Sequence, residues 1–248
     1  MSKLFKEKTC AYCAVPAASD TADHVLARQF VPVEYRSEIP KVPACTACNG
    51  KKAALEAYLS AVLPFGGRHA AAIDNLIANV PKRLEKNRKL HRALYTGQSR
   101  AWSREPSGLL LNAMTLPLDG ERLEELIGLM ARGLMFHHWG VALGPDIFVQ
   151  TLSLTKHGEA FFDRFSKMNA KQRVAKDIGA GALVYEGAQG VDNDAVSFWR
   201  LSLYGGFTTA SASGEDFSSK FGVLTGPKTI AERARKRVAR GEYIIRPA

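Results

Sequence analysis

The hydrophobic pattern of the chain changes character along its length. Up to about residue 50 the apolar positions have little periodicity and Cys, Pro, Ala and Thr dominate, as in a small irregular module held by a metal instead of its own core. Beyond Asn49, Leu55, Leu59, Val62 and Leu63 recur at helical spacing until Pro64 and Gly66-Gly67 stop the helix. Ile73, Leu76, Ile77, Val80, Leu84 and Leu90 form a second helical stripe, interrupted or kinked at Pro81. A third helix is predicted over 121–138, where Leu123, Leu126, Ile127, Met130 and Leu134 share one face and Trp139-Gly140 ends the run. The pattern then predicts a strand over 147–154 and a helix over 159–177, closed by Gly179 and Gly181. Strand composition over 182–186, 196–204 and 207–213, punctuated by Gln189-Gly190, Asn193 and Gly205-Gly206, predicts an antiparallel meander. A basic helix over 231–240 and a short strand over 243–245 close the chain.

The fold class expected from this order is α+β. A zinc-stabilised, treble-clef-like ββα module occupies residues 1–64, and a body over 65–248 holds the helical middle and the antiparallel β-rich end. Of the 248 residues, 46% are hydrophobic, enough to bury a real core. Thirty-four Lys and Arg against 24 Asp and Glu give a net charge of +10, the balance of a protein that meets a polyanion. The first ten residues, MSKLFKEKTC, lack the apolar core of a signal peptide, and no stretch reaches the roughly 18 apolar residues of a membrane span. A soluble cytoplasmic protein with no membrane partner is the expectation.

All four cysteines precede position 50, and in a reducing compartment such a cluster reads as metal binding and not as a disulfide framework. They form two Cys-x-x-Cys pairs, Cys10/Cys13 and Cys45/Cys48, suited to two knuckles around one tetrahedral Zn²⁺. Four thiolates leave no open coordination position, so this zinc is expected to be structural. A redox Cys-x-x-Cys normally comes singly in a βαβ context, which is absent here.

Between the pairs lies Asp23-His24, and Asn49 and Lys52 follow the second pair. The arrangement Cys-x-x-Cys, Asp-His-Val, then Val-Pro-Ala-Cys-x-x-Cys-Asn-x-x-Lys resembles the four-cysteine branch of the HNH endonuclease family over about the first sixty residues. The resemblance implies a ββα-metal fold and cleavage of DNA, with Asp23 and Asn49 holding a catalytic Mg²⁺ or Mn²⁺ and His24 as general base. Its implied products carry a 5′-phosphate and a 3′-hydroxyl. Phosphodiester hydrolysis needs a deprotonated water and a cation on the developing charge; an imidazole can supply the first and a hard ion on oxygen ligands the second. One carboxylate and one amide leave positions for water and phosphate oxygens, which suits magnesium better than a calcium cage. The chain departs from the family at Ala27, where a proline is common, and at Ile39-Pro40-Lys41-Val42, which lacks the asparagine that usually braces the loop carrying the base. The remainder loosely resembles uncharacterised bacterial HNH proteins with long C-terminal regions.

Basic residues cluster at Lys82, Arg83, Lys86, Arg88, Lys89 and Arg92, opposed only by Glu85, and continue through Arg100 and Arg104 around Trp102. A second cluster holds Arg233, Arg235, Lys236, Arg237 and Arg240. With Lys52, these are candidate nucleic-acid contacts, with Lys and Arg on phosphates and Trp102 free to stack, against the plainer reading of solvated helix faces. His137-His138 point in different directions on a helix and suit a helix end better than a metal site. Phe198 and Trp199 read as packing residues. Two functions therefore stand at this point: a metal-dependent endonuclease on DNA, with RNA open as a substrate, or a zinc-containing module that binds nucleic acid or protein without cutting. A homodimer stays open, because one active centre cuts one strand.

Overall fold

The computed structural model describes residues 3–104, 109–168, 170–206 and 217–232. It is a mixed helix and strand fold with a cysteine cluster near the N-terminus and an antiparallel sheet towards the C-terminus. The first strands, β1 (Thr21–His24) and β2 (Lys41–Ala44), pair antiparallel with Asp23 opposite Val42 and His24 opposite Lys41. Helix α1 (Thr46–Val62) follows β2 at once, and the Cys45 sulfur caps it by accepting from the Cys48 N–H. Its inward face is Lys52, Leu55 and Leu59, spaced three and four apart so that they stack on one side of the helix.

The second predicted helix is three short ones, α2 (Ala70–Ala78), α3 (Val80–Lys86) and α4 (Arg88–Gly97). Of the two readings at Pro81 the interruption holds: the proline sits in the first turn of α3, where its missing N–H costs nothing, and starts a new helix. The buried face of α2 differs from the predicted stripe: Ala71, Ala72 and Asn75 point inward, while Ile73 and Ile77 are exposed. The reason is an anchor, for the Asn75 amide donates to the Gln29 carbonyl and to the Tyr204 hydroxyl, and that fixes the helix rotation. A hairpin, β3 (Ser99–Arg104) with β4 (Leu110–Thr115), follows α4.

Helix α5 (Gly120–Trp139) runs as predicted, with an Asp119 cap at its start and Gly140 in the left-handed conformation at its end. The predicted helix over 159–177 is half right. Helix α6 (Lys156–Met168) stops early, and β6 (Ala170–Ile178) pairs along β7 (Leu183–Gly190), whose ladder the local pattern did not reveal. With β5 (Ile147–Thr155), β8 (Ser197–Leu203) and β9 (Phe217–Pro227) these make a five-stranded antiparallel sheet in the order β5-β9-β8-β7-β6. Helix α6 crosses one face to carry the chain from one edge strand to the other. The predicted strand over 207–213 and the final helix and strand over 231–240 and 243–245 lie wholly or mostly outside the described residues.

Adjacent residues of β8 divide the two faces of the sheet, as alternation requires. Phe198 packs with Leu154 and Phe162 under α6, whereas Trp199 enters the main core beside Trp139 of α5. That core is continuous from Cys10, Val25 and Leu26 through Leu126, Met130 and Leu134 to Tyr185 and Leu201. Helix α5 is its spine, meeting the β1–α1 module on one side and the sheet on the other. Gly133 permits the closest approach, since a Cβ there would lie 2.8 Å from Val25 Cγ1. Gly187 does the same in the sheet, where an added Cβ would lie 2.3 Å from the Trp199 ring. Gly187→Ala should therefore cost about 1–3 kcal/mol by overpacking, read as a lower midpoint in urea unfolding, whereas Gly50→Ala, with open space around it, should not lower it.

Candidate metal centre and adjoining polar site

The four sulfurs of Cys10, Cys13, Cys45 and Cys48 lie within 4.8 Å of one another. Tetrahedral Zn–S bonds of about 2.3 Å place sulfurs about 3.8 Å apart, so the set closes on one ion with small adjustments. Backbone N–H groups already point at two of the sulfurs: Cys45 N–H donates to Cys10 Sγ at 3.4 Å and Cys48 N–H to Cys45 Sγ at 3.5 Å. Burial pushes the Cys48 thiol up, with the neighbouring sulfurs adding to it. At Cys10 burial also raises the thiol, but the N–H groups of Cys45, Cys13 and Tyr12 outweigh it and bring the net shift down. Thiols gathered in so small a volume give up their protons when a cation sits among them, and the donor set fits zinc. Arg132 of α5 supports the cluster from outside, donating to the carbonyls of Tyr12 and Leu143 at 3.3 and 2.5 Å.

Beside this cluster the seam between β1 and α1 holds a buried charge network. Lys52 is fully enclosed, and its ammonium meets the Asp23 carboxylate at 3.0 Å, the Glu56 carboxylate at 2.5 Å and the His24 carbonyl at 2.7 Å. The Tyr12 hydroxyl donates to the same Asp23 oxygen. Burial, with Asp23 beside it, keeps the Tyr12 phenol protonated, and burial raises Glu56 against the opposing pull of Lys52. Asn49 joins the same seam through an amide bond to Thr21 Oγ1 at 3.1 Å, two residues along β1 from Asp23. Asp23 and Asn49 thus face one seam. His24, the next residue on the strand, is directed to the opposite face by alternation and is half-buried. Burial lowers its pKa, and Arg28 and Lys41 lower it further.

Lys52 was expected among the nucleic-acid contacts, but with no exposed surface it is an internal counter-ion instead. Arg83 is likewise turned inward, donating to the Ser60 carbonyl at 2.8 Å. Lys82, Lys86, Arg88, Lys89 and Arg92 are exposed. Arg233, Arg235, Lys236 and Arg237 lie outside the described residues. His138 contacts the Tyr185 hydroxyl at 3.1 Å, and burial followed by His137 and Lys176 brings it down to about 4, a neutral packing histidine. Sequence reasoning missed Tyr12, Glu56 and Arg132. Glu56 alone left a local signal, its placement four residues after Lys52 on one helix face.

Comparison with known proteins finds no family model, no curated protein and no solved structure that matches this chain. No helix among the described residues is long and apolar enough to cross a membrane.

Two outcomes test this geometry. Stripping the metal with a strong thiol-competing chelator, or replacing Cys45 and Cys48 with Ser, should release one equivalent of zinc by colorimetric assay and unfold at least the β1–α1 module by circular dichroism, because metal-binding energy acts as folding energy here. Lys52→Met removes the ammonium and leaves two buried carboxylates facing each other, so chemical denaturation should show a loss of about 3–5 kcal/mol.

Proposed function

We propose that the chain is a metal-dependent endonuclease of HNH type that hydrolyses DNA phosphodiester bonds at the β1–β2–α1 module. The observation that carries this reading is the placement of His24, half-buried next to Asp23 on β1 and opposite Lys41 across the hairpin. Burial, Arg28 and Lys41 all favour its neutral imidazole. Its cationic neighbours are the groups that attract a phosphate. A base in a cationic rim, on the strand that carries Asp23 on its other face, supplies parts that phosphoryl hydrolysis requires.

In this reading His24 takes the proton from the attacking water, and Arg28 and Lys41 hold the phosphodiester at the rim of the module. Lys52 fixes Asp23 and the His24 backbone from below through one ammonium. Asp23 and Asn49 would hold a magnesium- or manganese-class ion, which when bound supplies positive charge to the phosphate oxygens. The sign of the pH dependence follows from His24. Burial, Arg28 and Lys41 push its pKa down, so the base is lost as pH falls, and the cutting rate should rise with pH along a limb whose midpoint lies below that of a free imidazole.

A second reading has its own observation. Asp23 already takes hydrogen bonds from Lys52 and Tyr12 on one oxygen, which satisfies the carboxylate internally and favours a zinc-containing module that binds nucleic acid without cutting. Nicking of supercoiled plasmid separates the two. The nuclease reading expects cutting only with Mg²⁺ or Mn²⁺ and a loss of about 10²–10⁴-fold in a zinc-retaining His24→Ala variant. Binding without cutting by both proteins would sink it in favour of the module.

A further inference from the structure

Several cations of the sheet are neutralised: Arg200 meets Glu186 and Asp163, Lys220 meets Glu159, and Lys171 meets Asp194. The cations grouped on α3, α4 and the start of β3 are not. Lys82, Lys86, Arg88, Lys89, Arg92 and Arg100 are all exposed, and none forms an ion pair among the described residues. Arg88, Lys89 and Arg92 line a shallow concavity with Ala93 and Thr96, without a carboxylate in its wall.

The element that carries them is built as a projection. Helix α4 buries only Leu94, and the β3–β4 hairpin pairs with itself and rests lightly on the rest of the fold. The root is closed by Gly97 against Pro117, where an added Cβ would lie 2.7 Å from the proline ring, and by the Ser99 and Thr115 hydroxyls at 2.8 Å. Register places Arg100 opposite Met114 and Trp102 opposite Asn112, so these four share one hairpin face. That face is open: Trp102 is 68% exposed and Met114 67%. Two-stranded hairpins are marginal alone, and the run of exposed apolar side chains on this face, Trp102, Met114 and Leu110, marks an interaction surface.

We infer that α4 and the β3–β4 hairpin form a gripping arm for single-stranded or locally unstacked nucleic acid, with the α4 cations on phosphates and Trp102 stacked on a base. Charge selects this occupant over a second copy of the chain. A second copy would bring the same unpaired cations to the contact, whereas a nucleic acid brings phosphates for Arg88, Lys89 and Arg92 and an aromatic face for Trp102. Unstacked bases are required because Trp102 cannot reach the face of a base that is stacked on both sides in a duplex. This inference rests on the nucleic-acid half of the proposed function and not on cleavage.

The experiment is equilibrium binding by the full chain to a labelled oligothymidylate of roughly 20 nucleotides and to a duplex of equal length, without added Mg²⁺ or Mn²⁺. Trp102 serves as its own reporter, since Trp199 is fully buried and Trp139 half-buried. Single strand should bind tighter than duplex and quench tryptophan emission. Trp102→Ala should remove most of that quenching and weaken single-strand binding about tenfold. The combined Arg88→Gln, Lys89→Gln and Arg92→Gln variant should lower the slope of log K against log salt by about 2. All three sites are exposed, so unchanged zinc content and unfolding midpoint will show that the variants fold. Tighter duplex binding with no quenching overturns the inference, as does an unchanged Trp102→Ala. Loss of self-association on sedimentation with unchanged oligonucleotide binding also overturns it and assigns the arm to a second copy. A chain that grips the strand through this arm but never cuts it removes the nuclease reading alone.

Discussion

An ammonium with no exposed surface must be met by charge, and the β1–α1 module is organised around that requirement. Lys52 reaches inward from α1 to two carboxylates and one carbonyl, contributed by β1 and by its own helix. Desolvating three ionic groups is expensive, and only close, well-directed contacts repay it. The network therefore fixes the helix against the strand at a defined depth and rotation. Tyr12, from the first Cys-x-x-Cys segment, adds its hydroxyl to the same carboxylate and ties the metal knuckle into the seam. Cysteine cluster, hairpin and helix are consequently one unit.

This arrangement has a cost for chemistry as well as a use. An aspartate shared with a lysine and a tyrosine is held still, which helps a group that must present an oxygen at a fixed place. The same partners compete with any cation for its charge. The Lys52 contact to the His24 carbonyl adds to this hold, bracing the backbone of β1 from α1 beneath it.

The fold extends this logic outward through α5. Gly133 lets the helix lie close on Val25, Arg132 reaches the carbonyls of Tyr12 and Leu143, and the other side of the helix meets the sheet around Trp139 and Trp199. A module too small to bury its own core is completed by a helix that belongs to the body. Against this packed centre, α4 and the β3–β4 hairpin stand out with unpaired cations and exposed apolar side chains, a different use of the same composition.

The sequence by itself determined what is encoded locally. The cysteine spacing marked the four-cysteine cluster, strong 3.6-residue periodicity marked α1 and α5, and alternation at Phe198-Trp199 marked a strand with two packed faces. Tertiary structure decided what depends on partners distant in the chain. Residues 170–178 read as the end of a helix because their pattern alone does not show that β7 offers a ladder for them. The rotation of α2 was set by Asn75 reaching Tyr204, 129 residues away, against the pull of Ile73 and Ile77. Lys52 read as a surface cation because a lysine is ordinarily solvated. Only tertiary folding brings Asp23 of β1 against it beside the local Glu56, and burial of a charge is a property of that three-dimensional company and not of the residue.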